Sequence, residues 1–244
     1  MNRLVIIKGG GDLATGIAHR LFRSGFDILI TEIAKPTVIR RTVSFANAVF
    51  EGQMEVEGIT AFHVQPSDVE KCLMERSIPV VVDPACNIAA RLKPWGLVDA
   101  ILAKKNTGTS MGDAAVVVGV GPGFSAGADV HRVVETMRGH DLGRVILQGA
   151  AYPNTGIPGD IGGYTKERLV SAPCNGIFSP EKKIGDFVAA GAVLGYVDGV
   201  EVLASIDGIL RGLLYPGLPV TLNMKIGDID PRAKAEHCWT ISDK

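Results

Sequence analysis

Gly9-Gly10-Gly11-Asp12-Leu13-Ala14 follows the apolar run Leu4 to Ile7 and opens a helix-like pattern, and its reading decides the fold. Taken as G-x-G-x-x-A, it is a dinucleotide-binding turn in the context such a turn requires: strand before, helix after. Glycines at 9 and 11 let the backbone turn tightly and approach a pyrophosphate, while the first N–H groups of the helix face it. Leu13, Ile17 and Leu21, with Ala14, Ala18 and Phe22 beside them, give that helix an apolar face, and Gly25 is a stop signal. A second apolar run, Ile28 to Ile30, leads to Glu32, placed about where an acid would hold a ribose hydroxyl pair. A Gly-rich strand-to-helix turn that binds nothing is the alternative reading of the same residues.

The chain has 244 residues, of which 46% are hydrophobic, ample for one large core or two small ones. With 25 Lys+Arg against 26 Asp+Glu there is no broad basic field, so neither nucleic acid nor an anionic membrane is an expected partner. No apolar run approaches the ~20 residues a bilayer span needs, and no signal-peptide pattern precedes the glycines. The expected location is cytoplasmic. Cys72, Cys86, Cys174 and Cys238 form no CxxC pair, so neither a disulfide framework nor a metal site is expected.

Farther along, Ser67-Asp68-Val69-Glu70 has the pattern of a capping box and predicts a helix over Asp68 to Arg76, before a strand at Pro79 to Val82. Val98 to Lys104 and Ala114 to Val118 read as strands, and the alternation predicts a Rossmann-like doubly wound parallel sheet. Its ligand crevice would lie at the carboxyl ends of the strands, where Glu32, Asp83-Pro84, Asn106 and the turn Gly121-Pro122-Gly123 fall. Helical patterns vanish from about residue 145, and a boundary near Gly139 to Leu142 predicts domains at 1–142 and 143–244. The second contains a weak internal repeat: Ala172-Pro173-Cys174-Asn175-Gly176-Ile177 matches Ala204-Ser205-Ile206-Asp207-Gly208-Ile209, and Lys183-Ile184-Gly185-Asp186 matches Lys225-Ile226-Gly227-Asp228. These pieces resemble the barrel-sandwich hybrid of biotinyl and lipoyl domains, but the hairpin around Gly195 to Val202 has no lysine to carry a cofactor.

The densest ionisable cluster runs from Asp129 to His140. If it is helical, His131 and Glu135 share a face with Arg138 beyond them, a spacing suited to proton shuttling by His131 and Glu135, anion binding by Arg138 and a further contact from His140. A solvated helix with an i,i+4 contact accounts for the same pattern. Cys86 sits at a strand end with no histidine near it in sequence, which favours a structural cysteine. Arg40-Arg41 are candidates for an anion contact or simple surface charges.

Gly9 to Gly16, Arg40-Arg41-Thr42-Val43-Ser44-Phe45, Gly121 to Phe124, Arg138-Gly139-His140, Asn154 to Gly159 and Gly227 to Arg232 together resemble the YqeB family of selenium-dependent molybdenum hydroxylase system proteins. The resemblance runs nearly end to end, and it is also reminiscent of XdhC-type maturation factors. It implies an accessory factor that matures a client molybdenum hydroxylase, and it implies a Gly-rich tail beyond the stretch ending at Lys244. Ala85 departs from the family's acidic residue after Asp-Pro, so no role is carried onto it. On this reading a small phosphorylated ligand, with NAD(P) or molybdopterin dinucleotide as candidate cofactors, lies against Gly9, Gly10, Gly11, Asp12, Leu13, Ala14, Glu32, Asn106, Gly121 and Gly123. His131, Glu135, Arg138 and His140 line the reactive end. A homo-oligomer is compatible with the sequence. The alternatives are an NAD(P)-dependent oxidoreductase, against which the lack of a Tyr-x-x-x-Lys pair counts, and a non-catalytic scaffold for hydroxylase assembly.

Overall fold

Leu4–Lys8 is a run of five buried residues, as a central parallel strand covered on both faces must be. In the computed structural model, which describes residues 3–242 and 244, it is β1. The chain divides into two compact units: Met1–Pro36, Ser44–Thr155 and Ser242–Lys244 form unit 1, and Thr37–Val43 with Gly156–Ile241 form unit 2.

Unit 1 continues with α1 (Asp12–Arg23), β2 (Asp27–Glu32), α2 (Ala48–Glu51), β3 (Gln53–Val56), β4 (Ile59–His63), α3 (Val69–Met74), β5 (Ile78–Val82), α4 (Ile88–Leu92) and β6 (Gly96–Asp99). Then come β7 (Val116–Val120), β8 (Ser125–Ala126), β9 (Arg132–Val134), β10 (Val145–Ile146) and β11 (Gly149–Ala150). Nine of these strands make one sheet in the order β10-β9-β7-β6-β1-β2-β5-β4-β3. From β4 to β9 every neighbouring pair is parallel; the edge pairs β3·β4 and β9·β10 are antiparallel. The sheet core includes Ile6, Leu29, Val81, Leu97 and Val117. On α1 the small Ala14 and Ala18 are fully buried, which lets the helix lie close to neighbouring groups.

The chain leaves β1 toward β2 on one side and returns to β6 on the other. The carboxyl ends of β1 and β6 therefore flank the point where the strand order reverses, the usual position of a crevice in an open α/β sheet.

Unit 2 contains β12 (Leu169–Ser171), β13 (Gly176–Pro180), β14 (Phe187–Val188), β15 (Val193–Val197), β16 (Val200–Leu203), β17 (Gly208–Leu213), β18 (Pro219–Val220) and β19 (Lys225–Asp230). They form two four-stranded sheets, β12-β19-β17-β14 and β16-β15-β13-β18, antiparallel throughout. Asn175-Gly176 and Asp207-Gly208 play corresponding parts: the Asn175 side chain accepts from Leu222 N–H, and the Asp207 side chain from Ala190 N–H. Both glycines hold φ near 156–157°, at the edge of the region where a side chain is strained.

A Rossmann-like doubly wound sheet followed by a barrel-sandwich-hybrid-like domain is corrected by this architecture. The large sheet is mixed, with an antiparallel strand at each edge. Doubly wound folds place a helix at each crossover, but only α1 is long here; α2, α3 and α4 have four to six residues, and a 3-10 turn at Met111–Asp113 is all that lies between β6 and β7. The C-terminal strands form two separate antiparallel sheets. The helix expected over Asp68 to Arg76 is shorter, a 3-10 turn followed by Val69–Met74, with no side-chain cap bond. Residues 145–150, expected in the second domain, fall in unit 1. No helix among the described residues is long and apolar enough to cross a membrane.

Candidate functional site

The glycine turn forms as the sequence predicts, but its Gly10 N–H is already bonded within the chain. Gly10 N–H donates to Glu32 Oε2 at 2.8 Å, and Ile33 N–H donates to Glu32 Oε1 at 2.7 Å, so acid and loop are committed to each other. Burial pushes the Glu32 carboxyl up, opposed by these N–H bonds. The segment after Ser44 covers the loop. Ala46 N–H donates to the Gly10 carbonyl at 2.8 Å, Phe45 N–H donates to Thr15 Oγ1 at 2.9 Å, and a Cβ on Gly10 would stand 2.8 Å from Ala46 N. The close backbone approach that Gly10 permits is an approach of this chain to itself. Gly9, with φ 86°, packs against Ile101.

Gly121 and Gly123 also pack against the chain itself. A Cβ on Gly123 (φ 112°) would meet Lys105 N at 2.7 Å, and one on Gly121 (φ 81°) would meet Thr136 Oγ1 at 2.8 Å. Both are needed for chain packing.

The helix expected over Asp129 to Arg138 is corrected: Arg132–Val134 is a strand paired with β7 and β10, so His131 and Glu135 are not one helical turn apart. His131 Nδ1 accepts from Val117 N–H at 3.0 Å. Glu135, 2% exposed, accepts from the N–H groups of Thr136, Met137 and Tyr152, spending both oxygens on the backbone. Arg138 and His140 are exposed. In unit 2, Arg40 donates to the carbonyls of His237 and Thr240, and Arg41 to that of Leu213, so both serve their own fold.

The chemistry of unit 1 gathers instead where β1 and β6 end. Lys8, 4% exposed, donates from Nζ to Thr109 Oγ1 at 2.6 Å; Thr109 donates in turn to Asp99 Oδ2 at 2.7 Å; and Nζ lies 3.5 Å from the same Asp99 oxygen. Asp99, 1% exposed, also accepts from Ile101 N–H. Asn106 orders the loop that carries Thr109: its Oδ1 accepts from the N–H groups of Gly108 and Thr109, and its Nδ2 donates to the Thr109 carbonyl. Asn106 is thus the one residue of the expected ligand set that supports this cluster.

Lys8 lines a cleft of about 580 Å³, within the range of small-molecule sites. Cys86, Asn87, Lys93 and Asp113 bring its other polar groups, and Ala85, Ala89, Ala90, Ala114 and Ala115 also line it. An ammonium has three donors, and Thr109 and Asp99 engage two of them. Cys86 sits in the left-handed region at φ 58°, in a turn closed by its N–H donating to the Asp83 carbonyl. Burial pushes its thiol up; the Thr31 hydroxyl and the Lys8 charge pull the other way, and Asp83 and Asp113 add to the push. Burial thus favours the thiol over the thiolate.

No protein-family model matches the chain. It is 50% identical over all 244 residues to the Escherichia coli protein YqeB. That identity supports the YqeB family. This chain spans 45% of the length of its YqeB relative, and the likeness brings no selenium or molybdenum role with it. Among solved structures, a succinylglutamate desuccinylase from a Silicibacter species is 12% identical, with 93% of this chain and 84% of that one covered and a TM-score of 0.30. The ectoine utilization protein EutE of Ruegeria pomeroyi is 13% identical, covering 93% and 57%, at a TM-score of 0.26. An aspartoacylase family protein of Mesorhizobium loti is 12% identical, covering 93% and 84%, at 0.27. The expected hydroxylase maturation factor and NAD(P)-dependent oxidoreductase are corrected, because the nucleotide or pterin crevice on which both rely has its Gly10 donor and its Glu32 acid bonded to each other.

Lys8, Asp99, Thr109 and Cys86 were absent from the expected site. The signal for the first two was a charged residue closing an otherwise apolar run, Leu-Val-Ile-Ile-Lys and Gly-Leu-Val-Asp, which puts the charge at a strand's carboxyl end.

Proposed function

We propose that the cleft of unit 1 binds a small organic acid, its carboxylate held by the Lys8 ammonium and its apolar body lying on the alanine wall. The observation that supports this reading is Lys8 itself: a side chain nine-tenths buried, positioned by Thr109 and Asp99, with a donor to spare at a cleft wall. A charge held in such surroundings interacts with a ligand more strongly than one in water. Asn106 acts as a positioning residue, through Thr109.

Calorimetric titration with benzoate and with glyoxylate tests the reading. Both acids are expected to bind, with affinity at least tenfold weaker in the double variant Lys8→Met/Asp99→Asn, which removes the ammonium without stranding a carboxylate. Failure of both acids to bind, or equal binding by the variant, overturns it.

A further inference from the structure

From the meeting of a thiol and a cationic donor at one cleft, we infer that Cys86 adds reversibly to the carbonyl carbon of an oxo acid held there, making the site specific for acids that carry an aldehyde or ketone group. The inference rests on the proposed reading of the cleft and names the ligand class within it.

Cys86 and Lys8 both line the cleft, and Thr31 lies in hydrogen-bond reach of the thiol. Lys8 supplies the independent indication of a ligand, because it is 4% exposed and keeps a donor beyond those given to Thr109 and Asp99. The surroundings also narrow the reaction. Charged groups that act on the thiol are Lys8, Asp83 and Asp113, and both carboxylates are already bonded: Asp83 accepts from Ile88 N–H and the Asn87 amide, and Asp113 from the N–H and hydroxyl of Ser110. Among the described residues no histidine lines the cleft. Such a centre is poorly furnished for a reaction that must protonate a departing amine or alcohol. Addition to a carbonyl needs no leaving group. The sulfur–carbon bond forms as the carbonyl π bond breaks, the oxygen takes the electron pair, and the thiol proton ends on that oxygen, giving a hemithioacetal or hemithioketal. Lys8 keeps its remaining N–H on the acid's carboxylate, so the thiol proton reaches the new hydroxyl through solvent in the cleft rather than through the ammonium. Thr109 and Asp99 hold the ammonium in place against that carboxylate.

The test uses the 244-residue chain labelled with 13C at cysteine Cβ, which gives signals from Cys72, Cys86, Cys174 and Cys238. Saturating glyoxylate is expected to move one signal, the one missing from Cys86→Ala, into the range of a sulfur-substituted hemithioacetal, and to leave the other cysteines in place. Benzoate, which has no free carbonyl, shifts that signal only slightly. The adduct population falls at least tenfold in Lys8→Met/Asp99→Asn. If glyoxylate and benzoate both bind and no adduct signal appears, or if a different cysteine reacts, the covalent role of Cys86 is overturned while the cleft remains a binding site. If neither acid binds, the reading of the cleft falls and the inference with it.

Discussion

Replacing Lys8 by methionine is expected to lower the stability of unit 1 by about 3–5 kcal/mol, the usual cost of breaking a buried ion pair from one side. Asp99 is 1% exposed and would keep only the Thr109 hydroxyl and the Ile101 N–H as partners. The Asp99 carboxylate would then be a charge without a counter-charge in surroundings that solvate it poorly. Changing both partners should cost far less, because Lys8→Met/Asp99→Asn removes the charge and keeps an oxygen for the Ile101 N–H. Urea unfolding of the single and double variants measures this directly. A single variant as stable as the parent would mean that Asp99 does not rely on Lys8, and the account of the cluster would be wrong.

The second large effect is expected in unit 2. Asp230 is fully buried and binds Arg232 through both carboxylate oxygens, at 2.9 and 2.6 Å, with Arg211 Nη1 and His237 Nδ1 each 3.5 Å away. Arg211 also bonds Asp228, which holds the buried Arg168. Asp230→Ala is expected to cost about 3 kcal/mol, at the low end for a broken buried pair because Arg232 is partly exposed and solvent can receive it. Burial works against ionisation of Asp230, but the Arg232 side chain, the Arg232 N–H and the Arg211 charge outweigh it and hold the carboxyl well below its usual range. A depressed native pKa contributes stability that is complete above the unfolded value near ~3.9 and is lost as pH falls below it toward the native one. The stability gap between the parent and Asp230→Asn should therefore be constant near neutrality and shrink below about pH 4. Unfolding measured across that range checks the sign; a gap that widens in acid would contradict it.

Much of unit 1 can be read along the chain because its strands are buried on both faces. Leu4–Lys8, Asp27–Glu32 and Ile78–Val82 are near-continuous apolar runs, and the glycine turn with the helix after it stands where the sequence puts it. Asp129 to Arg138 misleads because an i,i+4 His–Glu pair suggests a helix, whereas Val130, Val133 and Val134 are β-branched and β7 offers Arg132–Val134 a partner to pair with. Nothing local reveals that partner. The glycine turn misleads in another way: G-x-G-x-x-A reports that backbone comes close at Gly10, and the backbone that comes close is Ala46. Cys86 has no histidine near it in sequence. Its companion is a lysine at the end of β1, and Lys8 and Thr109 meet across 101 residues only because β6 returns beside β1. Strand order, which sequence patterning does not encode, decides where the site is.

The most direct measurement of the central claim is a methyl NMR titration of the alanine-labelled protein with benzoate. Saturable shifts are predicted at Ala85, Ala89, Ala90, Ala114 and Ala115, which wall the cleft, with Ala172 and Ala204 of unit 2 unmoved. Shifts confined to Ala14 and Ala46 beside the glycine turn, or no saturable shift at any alanine, would contradict it.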